Sequence, residues 1–303
     1  MAQRPSRLSF ACTGTAMITI GPYRSLSHDF TVSMDETPMA ETLAQVFRPL
    51  RHEFAPTNQT TEYRIETTAD GWFLATDGSE LIARVNDAGV LMDHLIWVIN
   101  RRTVERWPGL LFHGGVVAAG PDQGVTIVGR SGAGKSTLVT QLIGEGLSYL
   151  SDELVPVESG GHVLAHPRSI GLKPGSWQLV EGLDTASTGS DARGQRFVDP
   201  ELLSADVVER TLPRLIVILQ GDPALGGPIS ANRVSCASAL FEILQHCFAI
   251  GSLTERELEL AKALVNAARP VTLSGGTPRE RALFVVKQLR SGQDPANAIA
   301  TVR

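Results

Sequence analysis

The sequence contains little lysine, little cysteine and no long apolar run. Only four of its 27 lysine and arginine residues are lysines, namely Lys135, Lys173, Lys262 and Lys287. Its three cysteines are too few and too scattered for a disulfide framework or a zinc site: Cys12, Cys236 and Cys247. No stretch approaches the ~20 apolar residues of a transmembrane helix. We therefore expect a cytoplasmic protein without a membrane partner.

The charge balance argues against a further class of partner. With a formal net charge of −5 and no basic stripe, the chain lacks the electrostatic footprint of a general nucleic-acid binder. We expect no nucleic-acid partner, and the sequence leaves a homo-oligomer open. Its 303 residues, 43% hydrophobic and 19% charged, are typical of a globular protein of about two domains.

One short segment carries the strongest functional signal. Residues 129–136, GRSGAGKS, fit the pattern G-x-x-x-x-G-K-[ST] at every fixed position. The preceding residues 124–128 (GVTIV) are typical of a buried strand, and residues 137–143 have the apolar spacing of a helix. A glycine loop between a strand and a helix presents backbone N–H groups and the positive end of the helix dipole to a phosphate. The segment predicts a nucleoside triphosphate site, against the alternative of a chance glycine-rich turn.

Each polar residue of this loop has an expected role. Lys135 would reach the β- and γ-phosphates, and the Ser136 hydroxyl would ligate Mg²⁺. Because lysine is rare in this chain, Lys173 is a second candidate for the site. The alternative, an ordinary solvated lysine, is equally well supported. The predicted nucleotide-binding residues are Gly129, Arg130, Ser131, Gly132, Ala133, Gly134, Lys135, Ser136 and Thr137.

An acidic pair follows the next apolar segment. In residues 147–155 (LSYLSDELV) a short strand ends in Asp152 and Glu153. One carboxylate could hold Mg²⁺ while the other orients or deprotonates a nucleophile. Because one helix fits between the glycine loop and this strand, we expect the two strands to be neighbours in a parallel sheet. A solvated strand end is the alternative.

A histidine precedes the glycine loop. We interpret residues 110–118 (LLFHGGVVA) as one strand that pairs as a hairpin with the strand at 124–128. This pairing would place His113 at the end of the sheet that carries the glycine loop. A lone histidine beside a core strand is more often structural, and the residues alone leave both interpretations open.

The pattern along the chain predicts two domains, with a boundary near residue 108. Residues 1–107 read as an α+β domain, with strands in YRIETT, WFLATD and ELIARV, an earlier strand near residues 16–20 and a helix over 87–106. Residues 108–303 are expected to form a nucleotide-binding α/β domain, a mixed or parallel sheet flanked by helices. We expect a mobile loop at 185–193, a last strand at 269–273 and a closing helix at 278–289. The intervening LSGG is not an ABC-type signature, since no acidic strand follows it.

Four segments together resemble the HPr kinase/phosphorylase family, and more closely the shorter kinases related to it. They are FHGG, GRSGAGKS, LSDE and PRSIGLKP (residues 167–174). The resemblance implies a P-loop kinase that uses ATP and Mg²⁺, in which His113, Lys135, Asp152 and Glu153 serve phosphoryl transfer and Ser136, Asp152 and Glu153 hold the metal. It also implies a substrate contact at Arg168 and Lys173.

Some of these relatives phosphorylate a serine hydroxyl on a lasso-peptide precursor, so the resemblance implies a peptide or small protein as substrate. This chain has Asp-Glu where HPr kinase has two aspartates, Ser-Thr rather than Ser-Glu after the loop lysine, and a different N-terminal region. These departures argue against HPr itself as acceptor. We favour Asp152 as the base, because the family shares an aspartate there. The alternative function is an ATP-binding or ATP-hydrolysing regulatory or assembly module that acts through partner proteins.

Overall fold

The described part of the chain folds into a mixed α/β structure with strands in four sheets and helices between them. The computed structural model describes residues 17–35, 37–53, 55–57, 59–78, 80–180, 187–190, 194–203, 206–221, 227–248 and 253–291. The strands are β1 (Ile18–Ser25), β2 (His28–Met34), β3 (Thr61–Thr67), β4 (Phe73–Asp77), β5 (Glu80–Val85), β6 (Leu110–His113), β7 (Gly115–Ala118), β8 (Gly124–Val128), β9 (Ser148–Ser151), β10 (Leu154–Val157), β11 (Val163–Leu164), β12 (Ile170–Leu172), β13 (Ser187–Ser190), β14 (Arg196–Val198), β15 (Arg210–Thr211), β16 (Pro213–Leu219), β17 (Ser230–Arg233) and β18 (Arg269–Ser274). The helices are α1 (Thr37–Val46), α2 (Ala88–Arg106), α3 (Lys135–Gly144), α4 (Cys236–Gln245), α5 (Glu255–Ala267) and α6 (Pro278–Ser291).

The first sheet uses strands β1 to β5 in sequence order, with β2 and β3 parallel and the other pairs antiparallel. Helices α1 and α2 contact it. Helix α2 begins after Asp87, whose carboxylate accepts a hydrogen bond from the Val90 N–H and caps the helix. The strands and the helix predicted in this region are confirmed.

The central sheet has six strands in the order β17-β18-β16-β8-β7-β9. Strands β8, β16 and β18 are parallel, while β7 is antiparallel to both β8 and β9. The predicted adjacency of β8 and β9 is therefore wrong. They run in the same direction but β7 lies between them, because Gly115–Ala118 pairs with both β8 and β9.

Helices cover both faces of the central sheet. Along β16, Leu215, Val217 and Leu219 belong to the buried cluster that includes α3 and α6. The alternate residues Ile216 and Ile218 belong to the cluster that includes α4 and α5. This alternation is the period of two expected of a strand buried on both sides. The mixed sheet flanked by helices agrees with the predicted fold class at this level.

The segment 110–118 forms two strands rather than the predicted one. Strand β7 pairs with β8 as expected, but β6 pairs with β10 in a separate four-stranded sheet of order β15-β11-β10-β6. The break falls at Gly114, where a Cβ atom would lie 2.8 Å from the carbonyl oxygen of Ile127. Because only glycine permits this approach, the chain can pass from one sheet to the other here.

The loop predicted at 185–193 is also corrected in part. Ser187–Ser190 forms β13, which pairs with β14 in a three-stranded sheet of order β12-β14-β13. A serine- and threonine-rich sequence can complete a sheet edge when a neighbouring strand supplies hydrogen bonds. The other residues of the predicted loop lie outside the described residues, as do those of the predicted strand before residue 17.

The predicted boundary near residue 108 stays a prediction. Phe197 on β14 lies in the same buried cluster as Phe30 and Tyr63 of the first sheet, so the two halves share side-chain contacts. The closing strand and helix predicted near the end of the chain are confirmed as β18 and α6. Among the residues that the structure describes, no helix combines the length and the apolarity needed to cross a membrane.

Candidate functional site

The glycine loop joins β8 to α3 in the order that the sequence predicts. All five residues of β8 are buried, and α3 starts at Lys135. Three glycines of the loop have positive φ angles: Gly129 at 150°, Gly132 at 84° and Gly134 at 95°. At Gly129 a Cβ atom would lie 2.6 Å from the carbonyl oxygen of Leu219, whereas nothing lies within 4 Å of a Cβ at Gly132 or Gly134. The loop is therefore packed closely where it leaves the strand and open where it meets the helix.

The Lys135 side chain folds back onto this loop. Its Nζ donates to the carbonyl oxygens of Gly129 at 2.8 Å and Arg130 at 3.3 Å. Burial lowers the pKa of Lys135, while the charges of Asp152 and Glu153 oppose that shift. The Lys135 ammonium group thus lies at the N-terminus of α3. Its charge and the positive end of the helix dipole both favour an anion there.

Asp152 lies directly after β9 and beside the start of α3. Its side chain is 6% exposed, and its Oδ1 has no hydrogen-bond partner among the described residues. Burial and the charge of Glu153 raise the pKa of Asp152 to about 7, and a hydrogen bond from Ser136 is among the interactions that oppose this rise. The structure thus brings together Ser136 and Asp152, two of the three predicted metal ligands.

Glu153 points to a different set of partners. Its Oε1 lies 3.4 Å from His113 Nδ1, and its Oε2 lies 3.5 Å from Arg168 Nη2. Burial alone would raise the pKa of Glu153, but the hydrogen bond from His113 and the charges of Arg168, His113 and Lys135 hold it at about 2. Glu153 is therefore an ionised carboxylate, held between a histidine and an arginine.

Strand pairing explains why His113 and Glu153 meet. In the β6–β10 register His113 lies opposite Leu154, the residue that follows Glu153. Both chain segments pass from the central sheet to the four-stranded sheet at this point, since β9 precedes Asp152 and β10 follows Glu153. The predicted histidine and the predicted acidic pair therefore lie close together, at the point where two chain segments connect the central sheet to the four-stranded sheet.

The segment 167–174 reaches the same place from the other side. Lys173, at the end of β12, donates from Nζ to Ser131 Oγ at 3.2 Å, so this lysine contacts the glycine loop. Thr137 Oγ1 on α3 donates to Ser176 Oγ at 2.8 Å. Arg168 is 8% exposed at its side chain and pairs with Glu153. Both residues predicted as substrate contacts therefore lie within the site.

Sequence analysis missed contacts that the Arg168 segment makes with helix α2 and with the first sheet. Arg168 Nη1 donates to Asn100 Oδ1 of α2 at 3.3 Å. Two residues earlier, His166 Nε2 lies 2.8 Å from Ser25 Oγ at the end of β1, and Thr103 Oγ1 of α2 donates to the same Ser25 oxygen at 2.7 Å. No local motif marks these residues, because they are ordinary positions of a strand and a helix. Together they attach the Arg168 segment to the first sheet.

Two cavities flank the glycine loop. The one we call the lysine cavity has a volume of about 630 Å³ and is lined by residues that include His113, Lys135, Ser136, Glu153, Arg168 and Lys173. The one we call the Phe241 cavity has a volume of about 910 Å³ and is lined by Gly129 to Ala133 of the loop, the end of β16, and α4. Asp152 lines neither cavity, whereas Ser136, with which it interacts, lines the lysine cavity.

The donors near Ser136 fit a hard divalent cation. Mg²⁺ prefers oxygen ligands and is usually held by one or two carboxylates together with substrate phosphates. The unpartnered, buried Oδ1 of Asp152 and the Ser136 hydroxyl are donors of this kind. Within the described ranges no group of three or more His, Cys, Asp or Glu side chains is placed to hold a metal ion.

Comparisons with known proteins give similarities among the solved structures. No family model matches the chain, and no curated protein does. One solved structure with similarity to it is the HPr(Ser) kinase/phosphatase from Coxiella burnetii. It is 14% identical, the match covers 59% of this chain and 92% of that one, and the TM-score is 0.28. A likeness at this level establishes neither the fold nor the function of this protein.

Proposed function

We propose that this protein is an ATP-dependent kinase that transfers the γ-phosphoryl group to a hydroxyl group of a peptide or small protein. The observation that carries the proposal is the convergence of phosphate-binding and acidic residues on one cavity. Lys135, Ser136 and Glu153 line the lysine cavity, and Asp152 interacts with Ser136. A loop that only bound nucleotide would not require the His113–Glu153–Arg168 arrangement beside it.

The loop and Lys135 would supply electrostatic stabilisation. Backbone N–H groups at the start of α3 would bind phosphate oxygens, and the Lys135 ammonium group would exchange its two carbonyl partners for them. Phosphoryl transfer passes through a loose transition state with charge spread over the phosphoryl oxygens, so positioning and charge stabilisation account for most of the catalysis. Lys173, which contacts Ser131, would add a second cation at the loop.

The contacts support different roles for the two carboxylates. Ser136 and Asp152 would hold Mg²⁺, which would neutralise negative charge on the phosphate oxygens. Glu153 lines the cavity, and a third of its side chain is exposed. We therefore propose that its carboxylate accepts a hydrogen bond from the substrate hydroxyl and orients it. His113 would steer this carboxylate from one side and Arg168 from the other. This assignment exchanges the roles that the sequence favoured, in which Asp152 was the base.

A more specific acceptor is suggested by the resemblance to the shorter kinases related to HPr kinase, which rests on FHGG, GRSGAGKS, LSDE and PRSIGLKP. It supports a serine hydroxyl, and a lasso-peptide precursor is a candidate of that class.

The test is incubation of the protein with γ-labelled ATP, Mg²⁺ and a peptide library that has one fixed serine. Label on peptide that disappears with Lys135→Ala is the expected result. Label released only to water would support the alternative module, and no release at all would contradict nucleotide chemistry at this loop.

A further inference from the structure

The Phe241 cavity has a different chemical character from the lysine cavity. Its walls include the exposed aromatic ring of Phe241, which is 65% exposed, and the small residues Ala237 and Ser238 on the same helix. Arg130 and Glu242 add one charge of each sign, and Glu242 is also a hydrogen-bond acceptor. The lysine cavity contains Trp97 but more basic side chains, among them Lys135, Arg168 and Lys173. A cavity with an exposed aromatic ring and balanced charge suits a flat ring system better than it suits a polyphosphate.

The position of this cavity relative to the sheet matters as much as its lining. Strands β8, β16, β18 and β9 all run in the same direction, so their carboxyl ends meet at one edge. Ligands of open α/β sheets bind outside that edge. The glycine loop follows β8 in the middle of it. Asp152 and Glu153 follow β9 on one side, and the Phe241 cavity lies beside β16 and β18 on the other.

The order of the carboxylates, the glycine loop and the Phe241 cavity along this edge predicts the orientation of a bound nucleotide. If the terminal phosphate lies near the carboxylates, as the proposed function requires, the remainder of the molecule extends from the glycine loop. On the side away from the carboxylates the loop residues Gly129 to Ala133 form one wall of the Phe241 cavity. The cavity volume of about 910 Å³ exceeds what a nucleoside needs.

We propose that the Phe241 cavity binds the nucleoside end of a purine nucleotide, with the base stacked on Phe241 and Glu242 accepting a hydrogen bond from the base or the ribose. This inference rests on the proposed function for the phosphate end. Stacking of a base on an aromatic side chain is sequence-tolerant and energetically substantial. It would also give a role to a large aromatic residue that is otherwise left exposed on α4.

The test compares ATP with inorganic tripolyphosphate, which lacks the nucleoside. Titration calorimetry with Mg²⁺ would measure both ligands on the full chain and on Phe241→Ala. The expected result is an ATP affinity about tenfold or more weaker in Phe241→Ala, with tripolyphosphate affinity unchanged. Phe241→Tyr keeps an aromatic face and should bind ATP as the wild type does. Leu81→Ala is the matched control, since Leu81 is 57% exposed on β5 and lines neither cavity.

The other outcomes are equally informative. An ATP affinity within about twofold of wild type in Phe241→Ala overturns the inference, provided that the melting temperature shows the variant to be folded. Equal wild-type affinities for ATP and tripolyphosphate also overturn it, because no nucleoside contact would then contribute, but they leave the phosphate site intact. If the wild type binds neither ligand, the proposed function fails together with the inference.

Discussion

Arg168 Nη2 lies 3.5 Å from Glu153 Oε2. The pair links the segment after β11 to the segment after β9, and the same guanidinium donates to Asn100 of α2. Because only 8% of the Arg168 side chain is exposed, the pair is shielded from water on the arginine side. The orientation of Glu153 therefore depends on residues from both halves of the chain.

Removal of the Arg168 charge should weaken transfer more than nucleotide binding. We expect Arg168→Met to lower kcat for phosphoryl transfer about tenfold or more, because Glu153 loses one of its two fixed partners. Arg168→Lys should lie between this variant and the wild type, since lysine keeps the charge but not the planar fork. Steady-state kinetics with labelled ATP would measure the effect. A wild-type kcat in Arg168→Met would contradict the role assigned to the pair.

Substitutions of the two carboxylates should affect nucleotide binding and phosphoryl transfer differently. Asp152→Asn should weaken Mg²⁺-dependent nucleotide binding, because Asp152 contacts Ser136. Glu153→Gln should leave that binding largely intact and reduce transfer, by about 10² or more if Glu153 orients the acceptor. Calorimetry for binding and labelled-phosphate transfer for chemistry would measure both variants. The reverse pattern would restore Asp152 as the base, and two fully active variants would contradict the kinase proposal.

His166 should make stability depend on pH. Burial, together with the charge of Arg168, lowers the pKa of His166 from 6.5 to about 3. The unfolded chain takes up this proton near pH 6.5 and the folded chain only near pH 3. The stabilisation is therefore complete above about pH 6.5 and is lost as the pH falls toward 3. Urea unfolding over this range should show the loss in the wild type.

The matched variants for this experiment are His166→Gln and His94→Gln. The first removes the buried group, so the slope of unfolding free energy against pH should become shallower. Some slope should remain, because burial also lowers the pKa of His28, to about 4. His94 is exposed on α2, and its replacement should leave the slope unchanged. An unaltered slope in His166→Gln would mean that His166 is not held neutral in the folded protein.

The sequence predicted the parts of this structure that local patterns determine. The strand, glycine loop and helix at 124–143 follow from β-branched residues, positive φ angles that favour glycine, and apolar spacing. The acidic pair after a strand and the three strands at 61–85 also agree with the structure. Each of these depends on residues close together in the chain.

Features that depend on distant pairing were missed. Asn100 and Arg168 are separated by 68 positions, and Ser25 and His166 by 141. No periodicity connects such residues, and nothing in residues 110–118 shows that half of the segment joins a second sheet. The insertion of β7 between β8 and β9 is of the same kind, since the order of strands depends on tertiary packing.

The loop lysine should be essential for transfer but not for folding. Lys135→Ala should reduce transfer by about 10²-fold or more, because a preorganised cation at the phosphates is lost. The melting temperature should change little, since among the described residues the hydrogen bonds of the ammonium group go to two loop carbonyls. Lys262→Ala is the control, because this lysine lies exposed on α5 and pairs with Glu259. An active Lys135→Ala variant would mean that the phosphates bind elsewhere.

A crystal structure with Mg²⁺ and a non-hydrolysable ATP analogue would show whether a triphosphate binds at residues 129–136. We expect phosphate oxygens bound by backbone N–H groups at the start of α3, with Lys135 Nζ turned from Gly129 and Arg130 toward them. The terminal phosphate should lie on the side of Asp152 and Glu153. Triphosphate bound at another place, with residues 129–136 unchanged and without ligand, would contradict this expectation.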